Sequence, residues 1–448
     1  MNKWKKVKLG DFLKESKIEA TNSNPDLRLR VLLNANGVIK RPLTKETKGA
    51  TKYFKRKAGQ FIYGKQNLHK GAFGIIPKEL DGYTSSSDLP AFDVDDSCLP
   101  EWLDYFLKQG NFYLSLVDIA KGAATKRIQP KDLFEVEIPL PDTIEEQQKI
   151  IDGFKKKEKS HSLLVKEIQT QKQLISELKQ SILQEAIQGK LTEAWRKKNP
   201  NVEPASELLK RIKAEKAQLI KDKKIRKEKP LPPVSDDEVP FELPEGWVWC
   251  RMQESGLFER GKSKHRPRND IRLFDKGTIP FVQTGEVARS KDSDYLINNC
   301  STYYNDFGLA QSRLWPKGTM CITIAANIAQ TGFLNIDACF PDSVVGFTAL
   351  SDYAISKYIR YFIDLTKTDI EKFAPATAQK NINLGIIYEL KLPLPPEKEI
   401  KAIVEKVETL MQKCNALEQE ITQSEQHANM LMQAVLKEAF EGEKKIED

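Results

Sequence analysis

Two stretches of the chain place apolar residues at alternating steps of three and four. Ile400, Ile403, Val407, Leu410, Cys414, Leu417, Ile421, Ser424, Ala428, Leu431 and Val435 trace one stripe. Gln147, Ile150, Phe154, Lys157, His161, Leu164, Ile168, Gln171, Ile175, Leu178 and Ile182 trace the other, more polar in its first half. This spacing predicts two amphipathic helices with coiled-coil seams, each roughly 50 Å long at about 1.5 Å per residue. Thr143 and Glu146 have capping-box spacing, Glu397 and Glu399 bring acid into a first turn behind Pro396, and Gly189 and Gly442 stand where a left-handed C-terminal cap belongs. The expected helices are therefore 143–190 and 397–442. Such a stripe also suits a helix packed on its own globular domain, but the equal lengths and the cost of exposing either seam favour mutual pairing. The expected seam joins Ile150, Phe154, Leu164, Ile168, Ile175, Leu178 and Ile182 to Ile403, Val407, Leu410, Leu417, Ile421, Leu431 and Val435. An antiparallel pair puts the attached domains at opposite ends of a rod, a parallel pair side by side.

The two helices are copies of one another. QSILQEAIQG at 180–189 matches QAVLKEAFEG at 433–442, and the same offset of 253 residues pairs Glu146 with Glu399, Leu164 with Leu417 and Leu178 with Leu431 without a gap. Upstream, FEVEIPLP at 134–141 matches YELKLPLP at 388–395 at an offset of 254. Alternating Val136, Ile138, Leu140 and Leu390, Leu392, Leu394 predict a half-buried strand that the prolines end. Each half thus reads as a globular domain whose last strand hands over to a long helix. Trp4 answers Trp247, and Trp102 to Phe106 roughly answers Tyr358 to Phe362, but between these points the halves do not align. A shared scaffold with two different surfaces is expected. Between the halves, 191–240 runs from a basic amphipathic stretch into a proline- and acid-rich one, which reads as a mobile helix and solvated connector with phosphate contact as the weaker reading. The resulting division is 1–142, 143–190, 191–240, 241–396, 397–442 and a tail at 443–448.

Composition narrows the class. The chain has 448 residues, 40% hydrophobic and 30% charged, enough for several folded domains with much surface helix. Its net charge of +8, from 71 Lys and Arg against 63 Asp and Glu, does not by itself demand a polyanionic partner. Six scattered cysteines without Cys-x-x-Cys spacing argue against a disulfide framework or a zinc site. The basic start lacks the apolar stretch of a signal peptide, and the best apolar run, 319–334, is broken by Asn327, Gln330 and Thr331, so a cytoplasmic protein with no membrane partner is expected.

Catalytic motifs are sparse. GLFERGKS at 256–263 fits the phosphate-loop pattern, but KHRPRND follows where a helix should open, and the residues make better sense as a basic loop. The histidines His69, His161, His265 and His427 have no metal-ligand spacing, and no Ser elbow, paired-carboxylate motif or Asn-Pro-Pro-aromatic methyltransferase signature occurs. No metal site and no catalytic residue is expected. Residue types that pair with base edges or phosphates do cluster in loops: Lys40, Arg41, Lys65, Gln66, Asn67, His69 and Lys70 in the first domain, and Lys262, Lys264, Arg266, Arg268, Gln283, Thr284, Asn327 and Gln330 in the second. A solvated loop has the same composition.

TAQKNI at 377–382, followed by LKLPLPP at 390–396 and the heptad helix, resembles the specificity subunits of type I restriction-modification systems. The first half carries the same junction as TKRI at 125–128, Ile138 to Pro141, and Glu146 with Gln147; Gly246-Trp247 and the Gly261-Lys262-Ser263 turn also fit. The resemblance covers nearly the whole chain. It implies an α+β protein of two mixed α/β target recognition domains, each followed by a long helix, the helices pairing as an antiparallel coiled coil. It further implies that each domain reads one half of a split, asymmetric site in double-stranded DNA while the helices set the gap. Two modification subunits, which carry S-adenosylmethionine and methylate adenine N6, would dock on the chain, which itself needs no cofactor; restriction subunits can add ATP- and Mg-dependent cleavage. The junction residues Lys126, Arg127, Gln379, Lys380 and Asn381 join the candidate DNA contacts on this ground. The sequence departs from the family pattern at Thr125-Lys126-Arg127, where Gln-Lys-Asn is usual, and at Ile400, where Gln usually follows Glu399. A coiled-coil adaptor without DNA reading, and more remotely a nucleotide-binding enzyme using 256–263, are the competing readings.

Overall fold

The structure is a computed structural model that describes residues 4–20, 24–42, 51–122, 125–372 and 382–441, with side chains to 437. It divides into two compact units, Met1–Lys172 with Gln419–Asp448 and Gln173–Glu418. The first contains β1 (Lys5–Lys8), β2 (Leu13–Ser16), β3 (Leu29–Val31), β4 (Val38–Lys40), β5 (Tyr53–Lys55), β6 (Phe61–Tyr63), β7 (Phe73–Ile75), β8 (Thr84–Ser86), β9 (Ala91–Val94), α1 (Pro100–Lys108), α2 (Pro130–Leu133), β10 (Glu137–Leu140) and the start of α3 (Ile144–Ile187). The second contains the rest of α3, then α4 (Glu193–Lys198), α5 (Ala205–Lys221), β11 (Val248–Arg251), β12 (Leu257–Arg260), β13 (Ile279–Pro280), α6 (Thr284–Arg289), β14 (Leu296–Ile297), β15 (Tyr303–Tyr304), α7 (Asp306–Ala310), β16 (Met320–Thr323), β17 (Thr331–Leu334), β18 (Val344–Thr348), α8 (Ala354–Lys372), α9 (Leu384–Glu389) and β19 (Lys391–Leu394). The final helix, α10 (Glu397–Glu441), begins in the second unit and ends in the first.

The units repeat one topology where their sequences do not align. In the first, antiparallel strands run β2-β9-β6-β7; in the second, β12-β18-β16-β17 repeat that order and β14 adds a parallel edge. A separate ribbon closes each domain, β1 with β10 and β11 with β19, and its second strand is the one the alternating leucines and isoleucines announce. Its prolines expose equivalent carbonyls: Trp102 Nε1 donates to Pro139 O (3.0 Å) and Tyr358 Oη to Pro393 O (2.6 Å). In the first sheet Phe61 and Tyr63 face an aromatic core with Phe92 and Trp102, while Ile62 faces a smaller cluster with Leu29 and Ile76, the period-two division of a strand buried on both sides.

The connector is folded rather than mobile. Ala205, Leu208 and Ile212, at helical spacing, are all at most 1% exposed, and Ala205 N donates to Gly246 O (2.8 Å). An apolar stripe among the lysines is what turns a charge-rich connector into packed helix.

The long helices pair antiparallel within each unit. In the first, His161 Nε2 meets Asn429 Oδ1 (3.1 Å) and Gln169 Nε2 donates to Glu425 Oε1 (3.1 Å); in the second, Lys179 Nζ meets Glu418 Oε2 (2.7 Å). The seam itself differs from the expected one. Phe154, Ile168, Ile175, Ile182, Ile403 and Val407 are buried, and Ile150, Leu410, Ile421 and Val435 are half-buried. Leu164, Leu178 and Leu417, however, are each 46% exposed and Leu431 64%. The column repeating every seven residues is kept, but its companion lies four residues on, not three: Val165, Lys172, Lys179, Glu418 and Glu425 are half-buried there. Either flank is geometrically open to a two-helix seam, which is only a narrow strip. The ion pairs Lys172–Glu425 (2.5 Å) and Lys179–Glu418 lie on the flank that is used, and the leucines are left outside.

Candidate nucleic-acid interface

In each domain most of the candidate loop residues lie at one end of the central sheet. The loop after β6 carries Lys65, Gln66, Asn67, His69 and Lys70. It turns at Gly71, whose φ of 78° and whose backbone neighbours, with Ala35 N 2.5 Å from where a Cβ would be, leave room only for glycine. Ile128 N donates to Lys65 O (2.8 Å), and Tyr63 Oη donates to Ile128 O (3.0 Å), so the junction segment with Lys126 and Arg127 is tied to this loop. Arg127 also reaches Asp88 (3.3 Å), whose carbonyl accepts from Lys65 N (3.0 Å). His69 is held below its ordinary pKa, first by desolvation and then by the charges of Lys70 and Lys126. Lys40 and Arg41 are not part of this group: the turn of their β3–β4 hairpin bonds to Lys70 and Gly71, and they occupy its opposite end.

In the second domain, β12 ends at Arg260 opposite Val345, and β16 ends at Thr323 opposite Val344, so the loops that follow both strands share one end of the sheet. The first carries Lys262, Lys264, Arg266 and Arg268, all exposed. Arg268 is held by Asp342 (2.7 and 2.9 Å), and Arg266 Nη1 donates to the carbonyls of Ser263 (2.6 Å) and His265 (2.8 Å), leaving Lys262 and Lys264 as the most available cations. The second loop is a tight turn with Ala326 and Ala329 at positive φ, closed by Gln330 N donating to Thr323 Oγ1 (3.0 Å); it leaves Asn327 exposed and Gln330 half-buried. Ile382 N donates to Ile324 O (2.9 Å), the counterpart of the Ile128–Lys65 bond. Gln379, Lys380 and Asn381, just before it, lie outside the described residues.

Gln283 and Thr284 stand at the start of α6, with Gln283 Nε2 bonded to Thr302 Oγ1 (3.1 Å) and to neither loop. On the same helix begins a cleft of about 690 Å³ lined by Arg289, Asn298, Asn299 and Tyr303. These are base-pairing residue types that the loop reading passed over, because only the adjacent pair Asn298-Asn299 marks them in the sequence.

The phosphate-loop pattern fails on geometry. Residues 257–260 are strand β12, whose backbone pairs with β18. A Cβ at Gly256 would lie 2.4 Å from the Phe347 ring and one at Gly261 2.3 Å from Pro341 O, so both glycines serve close backbone packing. Among the described residues no cluster of His, Cys, Asp and Glu is arranged for a metal, and no helix is long and apolar enough to cross a membrane.

Comparison with known proteins agrees with this architecture. The chain matches the type I restriction modification DNA specificity domain over residues 1–177 and 244–424, the two segments that contain the repeated domains. It is 33% identical over 266 residues to the specificity subunit of the Escherichia coli type I restriction enzyme EcoEI, covering 56% of this chain and 43% of that one. With the EcoAI subunit of the same species it shares 32% over 259 residues, covering 54% and 41%, so the match spans less than half the length of these relatives. The fold is that of the crystal structure of the HsdS subunit from Thermoanaerobacter tengcongensis, at a TM-score of 0.52 and 17% identity over 98% of this chain and 97% of that one. It is also that of a chain from a study of complex assembly and conformational transition of the type I R-M system, at a TM-score of 0.63 and 17% identity over 98% of both. With a repeated scaffold, differing loops and a family match across both halves, this chain belongs to the type I restriction-modification DNA specificity family.

Proposed function

We propose that this chain is the non-catalytic, sequence-reading subunit of a type I restriction-modification complex. Each domain reads one half of a bipartite, asymmetric site in double-stranded DNA through the loop end of its sheet, and the paired helices set the distance between the halves. The observation that carries this reading is one sheet topology bearing two unlike sets of loops. Two adenine-N6 methyltransferase subunits dock on the chain, bringing S-adenosylmethionine, and the target adenine turns out of the duplex into their pockets. Restriction subunits, with ATP and Mg, complete the nuclease form. The exposed leucines suit two copies of one partner: by the repeat, Leu164 and Leu431 in the first unit correspond to Leu417 and Leu178 in the second.

Replacing residues 1–141 by those of a family member that reads a different site should change one half-site and leave the other. Mapping methylated adenines in host DNA is the readout; methylation unchanged in both halves would reject the reading. Undetectable, salt-insensitive binding to any duplex would instead favour an adaptor.

His69 supplies a second expectation. A phosphate beside it offsets Lys70 and Lys126 and raises its pKa, so binding takes up a proton. Affinity should therefore rise as pH falls from the bound pKa toward the depressed pKa of the free site, below the ordinary histidine range, and His69→Asn should flatten the profile measured by fluorescence anisotropy. An identical profile in the variant removes His69 from the interface.

A further inference from the structure

The end of α5 and the turn that follows it carry a dense group of exposed cations outside the two sheet domains. Lys221, Lys223, Lys224, Arg226, Lys227 and Lys229 place six exposed cations within nine residues. The cations of α5 before its last residue are neutralised: Lys210 by Glu207, Arg211 by Glu203 and Glu397, Lys213 by Glu254 and Lys216 by Glu228. Among the described residues none of the six shares in such an ion pair. A helix C-terminus attracts cations, which accounts for Lys221, but Arg226, Lys227 and Lys229 lie beyond its last turn. With Asp222 and Glu228 counted, the nine residues carry a net charge of +4, a local positive potential that favours a polyanion.

The segment is held in place. Lys224 N donates to Leu219 O (2.9 Å), Lys216 Nζ meets Glu228 (3.0 Å), and Gln253 Nε2 donates to Lys229 O (3.3 Å). Tyr388 Oη lies 3.3 Å from Glu228 and donates to Phe258 O (3.0 Å), fixing the basic segment beside β12, the edge strand of the second sheet. From Phe258 the chain runs four residues to Lys262, roughly 13 Å at about 3.3 Å per residue. That is about four base-pair steps along the axis of a DNA duplex.

We propose that the basic turn 221–229 binds the phosphate backbone of duplex DNA beside the half-site read by the second domain, without reading its sequence. This rests on the function proposed above. It separates affinity from specificity: the loops choose the site, and the turn adds counterion release wherever the complex lies on DNA.

The test uses the full chain assembled with its modification subunits and two duplexes, one containing the methylated site and one of random sequence. Lys221, Lys223, Lys224, Arg226 and Lys227 are replaced together by glutamine; a second variant exchanges Lys for Arg and Arg for Lys at the same positions. The glutamine variant should lower the slope of log affinity against log salt by about 0.9 for each phosphate that is no longer neutralised, on both duplexes alike, with the same bases methylated. The charge-retaining variant should keep the parental slope. A parental slope in the glutamine variant overturns the proposal, and so does a glutamine variant that no longer assembles, since that points to an acidic protein partner when the charge-retaining variant still assembles. If the parent complex itself shows no bipartite methylation and no salt-dependent binding, it is the function proposed above that fails.

Discussion

Glu399→Ala is expected to destabilise the second unit by about 3 kcal/mol, whereas Glu146→Ala, at the repeat-equivalent position, is expected to cost less than about 1 kcal/mol. Both glutamates receive a tryptophan N–H at the base of a long helix: Trp247 Nε1 donates to Glu399 Oε2 (2.9 Å) and Trp4 Nε1 to Glu146 Oε1 (3.1 Å). The difference lies in what covers them. Glu399 has a side chain only 1% exposed and also accepts from Thr192 Oγ1 (2.7 Å) and the Arg196 guanidinium, both supplied by the folded connector. Glu146 is exposed, and its backbone N–H donates to Thr143 Oγ1 (3.2 Å), one half of the capping box. Removing Glu399 strands a buried indole N–H and hydroxyl and a partly buried cation. Because the Arg196 side chain is 20% exposed and can turn to water, the lower end of the usual range for a broken buried pair applies. Denaturant unfolding followed by tryptophan emission measures both variants, and equal losses would refute the assignment.

The second large effect separates the seam from the exposed leucine flank. Val407→Asp should cost more than about 4 kcal/mol, because Val407 is 0% exposed and a carboxylate there has neither water nor partner. Leu417→Asp, at a position 46% exposed, should leave the melting temperature nearly unchanged while weakening assembly with the modification subunits. Circular dichroism melting and co-purification read the two effects apart. Unimpaired assembly of the folded Leu417 variant would remove the leucine flank from the docking surface.

The departure at Ile400 has a local explanation. Its counterpart Gln147 is fully buried and bonds Leu99 N (2.8 Å), Ser97 O (2.9 Å) and Pro141 O (3.3 Å) in the first unit. Ile400 is equally buried. The same helical position is thus polar where it ties the helix to the loop before α1, and apolar in the other half.

Local chemistry was sufficient for much of this protein. The repeat, both long helices, the closing strands before Pro141 and Pro395 and the Gly189 cap follow from periodicity, proline and glycine, which act over a few residues. Short strands such as β6 and β16 carry no such mark, because Phe61-Ile62-Tyr63 is apolar without period. Their shared topology comes from non-local pairing and is visible only in the sheets. The loops could be nominated from Lys, Arg, Asn and Gln, but gathering Lys65 with Lys126, or Lys262 with Asn327, depends on which strand ends lie together. Choosing the seam needed the tertiary structure for the same reason. Leucines and lysine-glutamate pairs flank one seven-residue column on its two sides, and only the partner helix decides which flank is covered and which is left for something else to bind.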